Sequence, residues 1–356
     1  MVFKTILILA AFAQLLAAGL ALRINLRYRI YSAWFLLSAA ASVGAILRLT
    51  TLSEVWTQTP TLYEDRNLWL STVAALLASI LLLGGMALIE PFFVRISEAE
   101  KTLRQEHRQL TTIVRATEEE LKLAQRIQRR LLPASAVKLP GLDIAGVSHA
   151  AEWTSGDYFD YLSLRSGRTA VVIADVCGHG IGPALLMSST RASLRGLAPT
   201  LDDVGELLTH GNRAVVDCVS PSEFVTIFAA LYDAAEHKLY YAGAGHAAYY
   251  LHRDGSSQLL EADAPPLGIL PELTVPTRNL SNTETGEILI LVTDGILESR
   301  NAQDDMFGEA RLLATVHELR QQPAAGIVQG LILAATEFSG QREQQDDITV
   351  VIMKII

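Results

Sequence analysis

Apolar residues crowd the first ninety positions of this 356-residue chain and thin out afterwards. One run extends from Thr5 to Leu22, broken only by Gln14, a second from Tyr31 to about Ile46, and a third, without any charge, from Leu68 to Ile89. A membrane-crossing helix needs roughly 20 such residues, so the pattern predicts three transmembrane helices. A cleaved signal peptide is the competing reading of the first run. Its single preceding charge, Lys4, and the two spans that follow weigh against it. From Glu98 to Leu132 the chain is densely charged and free of Gly and Pro. A seven-residue frame passes through Ile96, Leu103, Leu110, Thr117, Ala124 and Leu131, with Val114 and Leu121 in support. That frame predicts a helical linker that either pairs with its copy as a coiled coil in a homodimer or stays solvated. Pro133 and Pro140 end it.

Beyond Gly141 the period changes. Short apolar runs at Ala170–Ala174, Phe224–Tyr232, Lys238–Tyr241, Ala247–Leu251 and Ile288–Val292 predict strands. Pro183–Leu197, Val204–Val219, Glu309–Leu319 and Ala324–Phe338 predict helices. Strands grouped between pairs of helices, without regular alternation, indicate an α+β fold. The expected organisation is a membrane domain over 1–90, a helical linker over 91–133 and a globular domain over 134–356.

Charge refines this picture. Arg23, Arg27 and Arg29 follow the first run, and Arg95, Lys101 and Arg104 follow the third, whereas the second connection holds Glu54, Glu64 and Asp65 with only Arg66. Positive residues stay on the cytoplasmic side, which predicts an outside N-terminus and a cytoplasmic C-terminal domain. The net charge of -9 argues against a nucleic-acid-binding surface, which needs a basic stripe. Cys177 and Cys218 stand in no metal-binding or CxxC spacing, and neither implies a disulfide framework.

The candidate chemistry lies in aspartates at predicted strand ends. They occur in GDYFD (156–160), ADVCGHG (174–180), TDG (293–295) and QDDIT (345–349). An aspartate leaving a strand beside a glycine can aim both backbone and carboxylate at a site. Dispersed aspartates without a His/Cys cluster suit hard divalent cations such as magnesium or manganese and not zinc. Two such ions can activate a shared water for attack on phosphorus. Each motif alone has a blander reading, Asp294–Gly295 as a simple turn, Asp346–Asp347 as a strand-end turn or solvated pair, and DVCGHG as a glycine-rich connection that turns the chain or cradles a phosphate; their joint occurrence, in order, carries the argument. A Cys-x5-Arg thiolate loop would require Arg at 183 or 224, where Pro183 and Phe224 stand. The nucleophile is therefore expected to be water. His179 and His246 each admit a general-acid role or a structural one.

These residues, with LKLAQRIQRRLLP (121–133), FVTIFAALYD (224–233), YAGAGHAAYYL (241–251), PPLGIL (265–270) and LVTDGILESRNAQDDMFGEARL (291–312), form an ordered set. From about residue 121 to the C-terminus it resembles the bacterial branch of the protein phosphatase 2C superfamily, typified by the sporulation stage II E phosphatase and stress-response sigma-factor regulators. Cys177 departs from the hydroxyl residue usual there, and the family's asparagine after His246 is missing. The resemblance implies a β-sandwich flanked by helices and a pair of manganese or magnesium ions. It implies Asp175 as bridging ligand, the Val176 carbonyl as backbone ligand, Asp294 and Asp346 as direct carboxylates, and Asp157 as an acidic partner of a metal. Asp160 and Asp347 are supporting residues on this reading. It further implies a serine/threonine phosphatase in the bacterial inner membrane, acting on a phosphorylated regulatory protein, with an anti-sigma-factor antagonist as substrate. The alternative functions are a non-catalytic signalling module of the same fold and a metal hydrolase of small phosphoesters.

Overall fold

The computed structural model describes residues 2–28, 33–57, 66–133, 135–220, 222–340, 342 and 344–356. Arg29, Tyr31, Glu64 and Asp65, which entered the reading of spans and orientation, lie outside the described residues. The chain divides into two compact units, Met1–Arg115 and Ala116–Ile356.

In the first unit, helices α1 (Val2–Tyr28), α2 (Ala33–Thr57) and the first part of α3 (Arg66–Arg129) pack through Phe3, Leu7 and Val55 at one end and through Ala21, Ile24 and Met86 at the other. Many large side chains point outward instead, among them Phe12, Leu16, Leu47, Leu81 and Leu88. Such helices suit an apolar solvent better than water. Among the described residues three stretches are long and apolar enough to cross a membrane: Val2–Leu26, Leu36–Thr57 and Trp69–Leu88. The second differs from the run that ended near Ile46. Its helix continues through Arg48, Thr50 and Thr51, and both threonine hydroxyls donate to the Leu47 carbonyl, at 2.9 and 2.8 Å. Polar residues thus satisfy themselves within the helix and do not terminate it. Helix α3 runs unbroken through Pro91, so the change from apolar to charged sequence coincides with no break in the backbone.

The second unit is built from β1 (Ala136–Leu139), β2 (Leu142–His149), β3 (Tyr158–Ser163), β4 (Thr169–Val176), α4 (Ile181–Leu197), α5 (Val204–Val216), β5 (Val225–Asp233), β6 (Lys238–Ala244), β7 (Ala248–Leu251), β8 (Ser257–Leu260), β9 (Arg278–Ser281), β10 (Ile288–Val292), α6 (Asp294–Leu297), α7 (Gly308–Leu319), α8 (Ala324–Ser339) and β11 (Ile348–Ile355). One antiparallel sheet has the order β1-β2-β11-β10-β7-β8 and the other β3-β4-β5-β6-β9. The predicted strands and helices are present with ends shifted by a few residues. Strands β1, β2, β3, β8 and β9 escaped the sequence reading. Three of them are only four residues long, and β2 and β3 mix Asp, Ser and Gly with apolar residues, so period and length were too weak to register.

Alternation along the strands sorts the core into layers. Phe159, Ile173 and Phe228 of one sheet meet Ile144, Leu289, Leu291 and Val351 of the other between the sheets. The intervening residues face outward. Val172 and Ile227 pack with Leu194 of α4 and Leu207 of α5, and Ile290 and Ile352 pack with Leu312 of α7 and Ile327 of α8. The result is a helix–sheet–sheet–helix sandwich. Gly146 permits the sheets' close approach, since a Cβ there would lie 2.6 Å from the Phe159 ring.

Phe228 is fully buried and stacks on Tyr241 with ring centroids 5.6 Å apart. Phe228→Ala is expected to destabilise the protein by about 3–5 kcal/mol, read as a lowered midpoint of thermal unfolding; a loss below about 1 kcal/mol would mean that the inter-sheet core collapses around the deletion.

Candidate metal centre

The layering decides which aspartates meet. In β4, Val171 and Ile173 face the interior of the sandwich, so Asp175, two residues on, is directed to the same side at the strand's end. In β3, Phe159 has that orientation, which gives it also to Asp157. The register pairs Tyr158 with Ala174, and Asp157 lies one position beyond, next to Asp175. Leu289 and Leu291 in β10 and Val351 in β11 carry the same parity to Thr293, Thr349 and Asp347. One end of the sandwich thus collects oxygen donors from four separate segments.

Asp157 is 2% exposed and accepts a hydrogen bond from the Thr293 hydroxyl at 2.8 Å. Asp175 is half-buried at the tip of β4 and lies within the field of Asp157, Asp294, Asp346 and Asp347. Asp294 is exposed and opens the short helix α6 directly after β10. Asp346, also exposed, accepts from the Asp347 backbone N–H at 2.8 Å. The Val176 carbonyl faces Gly156, where a Cβ would come within 2.8 Å of its oxygen. Glycine is therefore needed before Asp157. Gly295 is similarly constrained, because a Cβ there would fall on the Asp347 carbonyl oxygen.

Asp347 is a buried scaffold. Its two carboxylate oxygens accept from the Ala151 and Gly156 backbone N–H groups, both at 2.8 Å. Asp160, in the same GDYFD motif, is directed away from the cluster. It is 0% exposed and accepts two bonds of 2.6 Å from the Arg195 guanidinium of α4 and one of 2.7 Å from the Tyr158 hydroxyl. It anchors a helix to the sheet.

Two positioning groups were missed in the sequence. Thr293 donates to Asp157 and accepts from the Thr349 N–H at 2.9 Å. Gln128, near the end of α3, forms a reciprocal pair with Ser155, its amide donating to the Ser155 carbonyl at 2.7 Å and accepting from the Ser155 N–H at 3.0 Å. The Ser155 hydroxyl in turn accepts from the Asp157 N–H at 3.0 Å. Neither residue type signals such a role by itself.

The aspartates raise one another's proton affinity. Burial, then the proximity of Asp175, raises Asp157 well above the ordinary carboxylate value. Burial, then Asp294, Asp346 and Asp347, pushes Asp175 up to about 7. Asp346 is raised too, by burial and by Asp294 among its neighbours. Among the described residues no three acidic, imidazole or thiol groups stand close enough to form a finished ligand shell. The aspartates form a wider cluster of hard oxygen donors that repel one another, and this donor set fits divalent cations.

The histidines separate. His179 is 78% exposed and stands 3.3 Å from Glu152. His246 is bound at both ring nitrogens, 3.1 Å from the Thr226 hydroxyl and 3.0 Å from the Val292 carbonyl. Burial lowers it to about 4, so it is neutral at pH 7 and acts structurally. Cys177 accepts from the Phe224 N–H at 3.3 Å, which ties the loop after β4 to β5.

The two-sheet sandwich with flanking helices and an aspartate-lined end defines a protein of the protein phosphatase 2C-like class. Residues 165–356 match the family described as Stage II sporulation protein E (SpoIIE). That match spans more than half of the chain, and the chain belongs to this family of PP2C-type serine/threonine phosphatases. It is 29% identical to the phosphoserine phosphatase RsbU of Bacillus subtilis over 255 residues, covering 70% of this chain and 74% of the relative. It is 31% identical to the phosphoserine phosphatase RsbP of the same organism over 188 residues, covering 51% of this chain and 46% of that relative. The SiaA-PP2C domain of Pseudomonas aeruginosa superposes with a TM-score of 0.61 at 21% identity, covering 68% of this chain and 98% of the domain.

The raised Asp175 has a measurable consequence without metal. Between its unfolded value of 3.8 and its folded value of about 7 the folded state holds a proton that the unfolded state has released. Rising pH therefore destabilises the folded state across this window. Asp175→Asn removes this contribution, so in EDTA the variant is expected to gain stability over the native protein progressively as pH rises across the window. Unfolding midpoints at stepped pH check this. A difference independent of pH would sink the assignment of Asp175 to a like-charged cluster.

Proposed function

We propose that this chain is a membrane-anchored, metal-dependent phosphatase that removes phosphate from phosphoserine or phosphothreonine on a cytoplasmic regulatory protein. The observation that carries the reading is the convergence of Asp157, Asp175, Asp294 and Asp346, from four segments, into a site whose main electrostatic influences are burial and one another. Family membership supports the reaction, and the names of RsbU and RsbP support phosphoserine as the bond cleaved. An anti-sigma-factor antagonist is the proposed substrate, by analogy with such regulators.

Asp175, Asp294 and Asp346, with Asp157 and the Val176 carbonyl, would hold two divalent cations, Mn(II) or Mg(II). When bound, these supply a water of lowered pKa for in-line attack on phosphorus and offset charge on the phosphoryl oxygens. The chain's own residues prepare the place. Thr293 fixes the Asp157 carboxylate, Asp347 holds the Gly156 N–H, and Gln128 holds the Ser155 backbone. His246 keeps its proton on a structural bond and is unavailable as an acid.

The three apolar helical stretches support integral membrane anchoring in the bacterial inner membrane. The arginines and lysines after the first and third spans support a cytoplasmic catalytic domain. The organisation proposed is a membrane domain over 1–90, a linker over 91–133 and the phosphatase domain over 134–356. Leu103, Leu110, Ile113 and Val114 are exposed along α3, which supports a homodimer through the linker helix.

The test is turnover by the full chain in detergent micelles on p-nitrophenyl phosphate and on a phosphoserine protein, with manganese, with EDTA, and with Asp175→Asn. Manganese-dependent hydrolysis is expected, lost in EDTA and reduced by at least about a hundredfold in the variant. Full activity in Asp175→Asn would reject the catalytic assignment. No turnover on any substrate with any divalent ion would favour a non-catalytic module of the same fold.

A further inference from the structure

Residues 245–247 join β6 of one sheet to β7 of the other, and His246 stands in the middle of this crossing. Its backbone is held closely. The Gly245 N–H donates to the Ala264 carbonyl at 2.8 Å, and Gly245 has φ 70°, a left-handed conformation that glycine adopts without strain. A Cβ on Gly243 would come within 2.8 Å of the His246 carbonyl oxygen. From this position the ring reaches both sheets. On one side Nδ1 lies 3.1 Å from the hydroxyl of Thr226, the register partner of Asp175. On the other, Nε2 lies 3.0 Å from the carbonyl of Val292, the last residue of β10 and two positions before Asp294.

The two partners fix the tautomer. A carbonyl only accepts, so Nε2 carries the proton and donates to Val292, and Nδ1 accepts from the Thr226 hydroxyl. The Thr226 oxygen also stands 3.5 Å from the Asp175 carbonyl. The bond to Val292 replaces one that the sheet cannot make. Thr293 sends its N–H to Thr349 in β11 at 3.0 Å, so alternation turns the Val292 carbonyl to the opposite side. There the ladder with β7 has already ended at Ile290 and Tyr249, and the imidazole supplies the missing donor.

This bridge opposes a force that the site itself creates. Asp157 and Asp175 belong to the sheet of β3 and β4, whereas Asp294 and Asp346 adjoin β10 and β11 of the other. Asp294 and Asp346 act on Asp175 across that division, so like charge pushes the two sheet ends apart. Two further bonds across this end, from Thr293 to Asp157 and from Gly156 to Asp347, use aspartate side chains. The imidazole bridge uses none. We propose that His246 is a positioning residue: by tying Thr226 to Val292 it sets the separation between the aspartates of one sheet and those of the other, and so their capacity to hold divalent cations together. The inference deepens the proposed metal-dependent reaction and rests on it for the ligand assignment.

Manganese binding is read from the EPR signal of the free ion, titrated into the full chain in detergent, and thermal unfolding of each protein is followed in EDTA. His246→Leu removes both bonds. Thr226→Val removes one from the far end while keeping the shape of the side chain. Both are expected to weaken manganese binding, His246→Leu by about 10–100-fold. At saturating manganese both are expected to lower kcat on p-nitrophenyl phosphate and leave KM unchanged. His246→Gln, which keeps a donor for Val292, is expected to recover part of the affinity. The double variant His246→Leu/Thr226→Val is expected to bind no more weakly than His246→Leu, because both residues act through one connection. Native manganese affinity in His246→Leu, even with a lowered unfolding midpoint, means a fold-stabilising histidine only and overturns the proposal, as does additivity in the double variant. If His246→Leu does not fold, Thr226→Val decides alone: native affinity there rejects the bridge. Binding and turnover that survive in every variant reject the bridge and leave the phosphatase reading in place. Manganese binding without turnover by the native protein rejects the phosphatase reading, while its weakening in the variants still upholds the bridge.

Discussion

Like charges held at the end of a closed sandwich dominate this structure. Burial already disfavours ionised carboxylates, and here each aspartate raises its neighbours further. Such an arrangement lowers the stability of the folded chain unless a counter-charge joins it. A hydrogen-bonded frame maintains it. Thr293 holds Asp157, Asp347 spans two backbone N–H groups, and glycines at 156 and 295 allow carbonyls to approach where any side chain would intrude. The stable sandwich opposes the repulsion, and a bound divalent ion would relieve it. The same repulsion that costs stability creates affinity for the ion.

The period of the β-strand separates chemistry from scaffolding within a single motif. Asp157 and Asp160 are three residues apart and so point to opposite faces of β3. The first joins the cluster between the sheets; the second turns to α4 and is neutralised by Arg195. Removing Arg195 would leave the buried carboxylate with Arg191 at 3.8 Å and the Tyr158 hydroxyl and Tyr161 N–H as its remaining partners, a weaker compensation that is destabilising. The helix layer over this sheet is thus held by an ion pair in addition to its apolar contacts with Val172 and Ile227.

The segment leading into Asp157 is tied from two directions. Asp347, just before β11, grips Ala151 and Gly156, and Gln128, near the end of α3, grips Ser155. Lys122 also lies over the Trp153 ring, 5.5 Å from its centroid. The end of α3 therefore contributes to the placement of Asp157, one of the proposed metal ligands. The last turns of this helix are part of the frame around the aspartate cluster.

Much of this was legible in the chain itself. Three apolar runs, a charged segment without Gly or Pro, and aspartates beside glycines at strand ends are local patterns, and local patterns survive in one dimension. They announced the membrane-length helices, about half of the strands, most of the remaining helices, and the aspartates proposed as ligands. Short strands such as β1, β8 and β9 lay below that threshold, and the second apolar helix outran its hydrophobic run because its hydroxyls bond inward. Partners remote in sequence were beyond reach. Nothing near Gln128 names Ser155, nothing near Asp347 names Gly156, and His246 meets Thr226 and Val292 only once the two sheets have packed. Sequence by itself determined which groups could bind, because side-chain chemistry and strand period are local properties. Only the tertiary structure decided which of them face one another, because the register of two sheets and the packing of their helices set distances between residues far apart along the chain.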